Sequence, residues 1–133
     1  MIATQGRIVL YVLSANDADA INRRRTTGAE IAKRMGMDVW GDKNGEPIHG
    51  WPAGAQAHIG NLASEADTYP MMIVRVWPDE FGPGFVGVNG QVFLDGNDVL
   101  WVTSVREGTE PGTWYWPARL PEAKTDVPPT AAL

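Results

Sequence analysis

The segment Asn22-Arg23-Arg24-Arg25-Thr26-Thr27-Gly28 sets three guanidinium groups immediately ahead of a glycine. Arginine meets a phosphate or carboxylate through paired N–H bonds, and threonine hydroxyls add further donors. A helix is expected to begin after Thr27, and the free amides of its first turn would favour an anion at the same place. A plainer reading competes with this one. Arginines commonly close a preceding helix, where its dipole favours cations, and pair on the surface with residues such as Asp17, Asp19 or Glu30.

The other residues able to do chemistry are few. His49 and His58 are the only histidines. With Asp67 or Asp95 they could imitate a metal or acid–base site, but they lack the HxH or HxxxH spacing that shared ligation needs. A hydrogen-bonded loop anchor is the expected role of His58. Asp95-Gly96-Asn97-Asp98 carries carboxylates in a calcium-like order, yet the further oxygen ligands and distal Glu of a calcium loop are missing. A hairpin turn accounts for all four residues. Ser14, Ser64 and Ser104 lie in no nucleophile-elbow context, so a hydrolytic triad is not expected. No catalytic residue and no cofactor are assigned.

Tryptophan is the compositional anomaly, with six in 133 residues. Trp51, Trp77, Trp101, Trp114 and Trp116, with Tyr69 and Tyr115, could line a stacking site for a flat ligand, where each stacked base is worth roughly 1–3 kcal/mol. Core packing and a protein interface favour the same residue type. Trp101 is expected in the core, while Trp51 and Trp114 stay open between core and site. In Trp114-Tyr115-Trp116 a regular strand sends Tyr115 opposite to the two tryptophans.

These residues need elements to position them. Gly6 to Leu13 reads as a first strand, rich in β-branched residues. Ser14 then caps a helix, with Asp17 facing its free first-turn amides. Thr27 and Glu30 form a T-x-x-E capping box, which predicts a second helix from Gly28 to about Met35, stopped by Gly36. Glycines and prolines between residues 37 and 67 prevent a long regular element, yet Trp40, Ile48, Trp51, Ile59 and Leu62 give this stretch apolar anchors, as in a packed loop. Met71 to Trp77 alternates, with Met72, Val74 and Val76 on one face and Met71, Ile73, Arg75 and Trp77 on the other. Val88–Leu94 and Val99–Val105, joined across Asp-Gly-Asn-Asp, form the clearest hairpin in the chain. Thr113 to Pro117 is a short last strand. The expected fold is mainly β with a short helical excursion: a small, SH3-like, partly open antiparallel barrel. Helices on one face of an antiparallel sheet are the alternative. One β-rich domain is expected over residues 1–120, with helices near 15–35, followed by a proline-rich tail at 121–133.

Composition narrows the classes of function. Hydrophobic residues make up 44% and charged residues 20%, enough for a packed core. Cysteine is absent, which removes disulfides and thiolate chemistry. A net charge of −5 argues against a surface for duplex nucleic acid. No apolar run approaches the roughly 20 residues of a membrane helix, and no secretory leader is expected.

The strings INRRRTT (Ile21–Thr27), GAQAHIGN (Gly54–Asn61), YPMMIVRVW (Tyr69–Trp77), VNGQVFLDGNDVLWVT (Val88–Thr103) and PGTWYWP (Pro111–Pro117) together resemble small proteins encoded by tailed bacteriophages and prophages. The resemblance covers roughly Gly6 to Pro121, leaving out the loop around Met37–Gly50. That group has no assigned activity, so the resemblance implies a viral accessory protein and transfers no catalytic residue. Members often carry His at the position of Tyr115.

The function expected from these features is non-enzymatic binding of a small anionic, nucleotide-like ligand or of a host factor, in the host cytoplasm. Arg23, Arg24, Arg25 and Thr27 would contact phosphate. Trp51, Trp77 or Trp114 would stack, His58 would line the site, and Asn97 or Asp98 would read polar edges. A virion component is the alternative, either a capsid decoration or a tail-associated protein, with surplus Trp as interface. An inhibitor of a host enzyme that acts through its acidic surface is the third. A homo-oligomer is expected in any of these roles.

Overall fold

The computed structural model describes residues 1–25 and 58–120. Its elements are β1 (Ile8–Val12), α1 (Ala15–Arg24), β2 (Thr68–Trp77), β3 (Gly87–Phe93), β4 (Val99–Arg106) and β5 (Trp114–Tyr115). The second helix predicted from Gly28, residues 37–57 of the packed loop and the tail at 121–133 lie outside the described residues. So do Thr27, Trp51 and His49.

The strands form one antiparallel sheet in the order β4-β3-β2-β1-β5, curled into a half-barrel. The mainly β, partly open architecture expected from the turn spacing is therefore what the chain adopts. Between β3 and β4 the Asp-Gly-Asn-Asp turn makes the predicted hairpin, pairing Phe93 with Val99 and Gln91 with Trp101.

Two irregularities bend the sheet. One extra residue enters β2 between Ile73 and Arg75, and another enters β4 opposite the Val88–Gly90 step. The second bulge contains Ser104, held at a φ of +51°. Bulges raise the local twist and turn a flat ribbon into a curved one. Asn89 holds the second bulge and ties it to the end of β2: its Oδ1 accepts from the Ser104 amide at 2.9 Å and from Trp77 Nε1 at 3.2 Å. The β2 bulge also corrects the alternation read from sequence. Met71 and Ile73 share the inward face, but Val76, read on the opposite face, also packs against the core, because the extra residue reverses the parity beyond it.

The concave side holds the core, built from Val9, Tyr11, Met71, Ile73, Val88, Val92, Val102, Val105 and Trp114 with Leu13, Ala18 and Ile21. Burying each of the larger apolar side chains contributes about 1.5–3 kcal/mol. Helix α1 presents Ala18 and Ile21 to this core. Its start is fixed by a capping box: Asp17 N donates to Ser14 Oγ at 3.1 Å, and Ser14 N donates to Asp17 Oδ2 at 2.9 Å. Near the far end the half-barrel begins to close. Gly108 N donates to the Trp114 carbonyl at 2.8 Å, and Trp114 Nε1 donates to the Val105 carbonyl at 3.2 Å. Among the described residues no helix is long and apolar enough to cross a membrane.

Candidate functional site

The end of α1 and the β3–β4 turn meet at a buried carboxylate. Arg25 Nη1 donates to Asp98 Oδ1 at 2.7 Å, and both side chains are more than nine-tenths buried. Arg24 Nη2 lies 3.4 Å from Asp98 Oδ2, and His58 Nδ1 lies 3.9 Å from the same oxygen. Asp98 Oδ2 is buried and accepts no hydrogen bond from the described residues. Two guanidiniums and an imidazole thus surround one carboxylate, and the Asp95 carboxylate lies in the same turn.

The sequence builds this arrangement through backbone proximity. Arg25 and His58 form a parallel bridge, and Gly60 and Gly96 an antiparallel one. Asn61 N donates to the Asp95 carbonyl at 2.9 Å, and Asn97 N donates to the Ile59 carbonyl at 2.9 Å. Side chains repeat the pattern: Ile59 N donates to Asn97 Oδ1 at 2.9 Å, and Asn61 Nδ2 donates to Asp95 Oδ2 at 2.8 Å. Two glycines make the approach possible. A Cβ at Gly60 would collide with the Asp95 carbonyl oxygen and lie 2.6 Å from Gly96 Cα, and one at Gly96 would lie 2.6 Å from the Ile59 carbonyl oxygen. Arg25 completes the contact by donating from Nε to the Asn61 carbonyl at 3.0 Å.

Beside the carboxylate lies a cleft of about 440 Å³ lined by His58, Phe93, Gly96, Asn97, Asp98 and Val99. Phe93 is 42% exposed and forms an aromatic wall. The cleft therefore combines an aromatic face, an acceptor without a hydrogen bond and nearby cations. Such a set can hold a flat ligand that carries both N–H donors and an anionic group. No group of three or more His, Cys, Asp or Glu spaced for a metal ion occurs among the described residues.

The three consecutive arginines do not act together. Arg23 leaves the cluster and pairs on the surface with Asp19 one helical turn away, which raises its pKa. Here the plainer reading of a basic helix end describes the geometry. Arg25 is committed to Asp98 and Asn61. Arg24, with about a third of its side chain exposed, stands at the edge of the cluster. His58, Asn97 and Asp98 come together as cleft residues, although Asn97 also anchors Ile59.

The tryptophans need correction. Trp114 is 1% exposed, with its indole N–H spent on the Val105 carbonyl, so it presents no stacking face. Trp77 pairs with Gly87, at the opposite end of β3 from Phe93 and the turn, and the Arg75 guanidinium lies 4.0 Å from its ring centroid. It is not brought to the cleft. Trp101, expected inside, is 63% exposed, because its register with Gln91 puts it on the convex face while Val102 takes the core. Trp114 and Trp116 do share a side, with edge-to-face rings 5.6 Å apart.

Phe93 and Asn61 are the residues that sequence reasoning missed. A hairpin turn needs Gly and one Asx residue, whereas Asp95, Asn97 and Asp98 supply three polar side chains. That surplus was the available signal of a long-range contact. Comparison of the chain with protein-family models, with curated proteins and with solved structures finds no match.

Proposed function

We propose that this is a phage-encoded, non-enzymatic binding protein that takes a small anionic, nucleotide-like ligand in the cleft between the β3–β4 turn and the end of α1. The observation that carries the reading is the Asp98 carboxylate, flanked by Arg24, Arg25 and His58, with its Oδ2 accepting no hydrogen bond from the described residues. A base with an amino or imide N–H satisfies that oxygen, its ring stacks on Phe93, and its phosphate lies toward Arg24 and His58. Asn97 borders the base edge. Arg23, Trp77 and Trp114 leave the proposed site, and Phe93 takes the stacking role.

The test is a thermal-shift titration with AMP, GMP, CMP, UMP and inorganic phosphate. Ligand at about 100 times its Kd stabilises the folded state by about 2.7 kcal/mol. A rise in Tm with at least one nucleotide, reduced by Phe93→Ala, supports the reading. An unchanged Tm at millimolar concentrations of all five overturns it.

The virion alternative draws on a different surface. Phe81 and Phe85 are 44% and 68% exposed around a second cleft of about 370 Å³ that also contains Arg106 and Glu107. Exposed phenylalanines beside a hairpin loop fit docking on another protein. Mass spectrometry of purified particles separates the two readings: a stoichiometric amount in the particle favours the virion role.

A further inference from the structure

The cleft at the β2–β3 loop lies at the end of the sheet from which the chain departs. Phe81 and Phe85 line it together with Arg106 and Glu107, and both rings are exposed. The loop fixes the two phenylalanines: Phe81 N donates to the Phe85 carbonyl at 3.0 Å, and Gly84 N donates to Asp79 Oδ1 at 2.7 Å. Strand registers set the direction of the chain. β5 runs antiparallel to β1, so after Tyr115 it heads toward the Ile8 end of that strand. Ile8 pairs with Met72, and β2 continues from there to Trp77 and into the loop. Arg106 pairs with Gly87 at the same end, and Glu107 bridges Trp114, so β5 passes beside the cleft wall.

From this placement we infer that the segment 121–133 docks in the Phe81–Phe85 cleft of its own chain. Its length suffices, because 13 residues reach up to about 45 Å when extended. Its chemistry fits as well. The segment carries Asp126-Val127-Pro128-Pro129, and consecutive prolines favour the polyproline II form, which docks on aromatic-lined grooves at low entropic cost. That form has three residues per turn and rises about 3.1 Å per residue, so Asp126 and Pro129 share one face about 9 Å apart. Pro129 then seats against the phenylalanine rings while Asp126 meets Arg106. Arg106 already pairs with Glu110 at 2.9 Å, but both side chains are exposed, and a guanidinium has donors for a second carboxylate. The docked segment covers the two phenylalanines, so a protein partner drawn to them must first displace it.

The chain has no cysteine, so Ala131→Cys accepts a single nitroxide label, and paramagnetic broadening of backbone amides in the full chain locates it. Losses of signal are expected at Gly84, Phe85 and Glu107, while Gly96 and Asn97 at the opposite end of the β3–β4 hairpin keep theirs. Pro128→Gly with Pro129→Gly, and separately Phe81→Ser with Phe85→Ser, are expected to restore the lost signals. Unshifted amides at Val9 and Met71 show in each case that the sheet is intact. Nitroxide-bearing chains mixed with isotope-labelled chains that lack the nitroxide are expected to cause no broadening. Broadening that misses the cleft, spreads evenly over the surface, survives either pair of substitutions or arises between chains would overturn the inference.

Discussion

Arg25 Nη1 stands 2.7 Å from Asp98 Oδ1 across 73 residues of sequence, and both side chains are buried. This ion pair ties the end of α1 to the β3–β4 turn. The same turn accepts the segment from Ile59 to Asn61 through backbone and side-chain hydrogen bonds. The cleft proposed to bind a ligand is therefore built on a rigid clamp.

Breaking the pair from one side leaves a buried charge uncompensated, which costs about 3–5 kcal/mol. Asp98→Ala is expected to lower the urea midpoint by a corresponding amount. The double substitution Arg25→Met with Asp98→Leu removes both charges and is expected to cost less than Asp98→Ala alone. Equal losses for the two variants would show that packing around the site, and not charge, sets its stability.

Gly60 faces Gly96 with no room for a side chain between them. Gly60→Ala forces backbone against backbone, and overpacking of this kind costs about 1–3 kcal/mol. Hydrogen exchange should locate the effect: the amides of Asn61 and Asn97 lose protection, while those of Val9 and Met71 at the centre of the sheet keep theirs. Uniform loss across the sheet would contradict a local clamp.

Tyr11 donates its hydroxyl to Asp17 Oδ2 at 2.5 Å. Burial first, then this hydrogen bond and the Asp17 charge, hold the phenol well above its ordinary pKa of 10.0. The folded state thus favours the protonated phenol. Its contribution is complete below pH 10 and is lost as pH rises through that value toward the higher folded one. Tyr11→Phe is expected to cost about 1–2 kcal/mol at neutral pH and to flatten the decline in stability above pH 10. Chemical unfolding across the alkaline range measures both, and an unchanged alkaline slope would contradict this assignment.

Much of this architecture was legible in the sequence because its signals are local. Alternation marked β2, Asp-Gly between two apolar runs marked the β3–β4 hairpin, and Ser14 with Asp17 marked the start of α1. What was not legible depended on register. One extra residue in β2 turned Val76 inward, and pairing with Gln91 turned Trp101 outward, and neither effect has a signature within a short window of sequence. The candidate site was half legible. Arg24, Arg25, His58, Asn97 and Asp98 do converge, but the adjacent Arg23 diverges because helical geometry carries it round to Asp19. Phe93 read only as a strand residue, since its place beside the turn follows from the hairpin pairing.

Calorimetric titration of the wild type, Arg24→Gln and Phe93→Ala with the nucleotide that gives the largest thermal shift tests the central claim most directly. The cleft reading predicts one site per chain for the wild type and at least tenfold weaker binding for each variant, with the melting temperature of unliganded Phe93→Ala nearly unchanged. Equal affinities for all three proteins, or no measurable heat with any nucleotide, would contradict it.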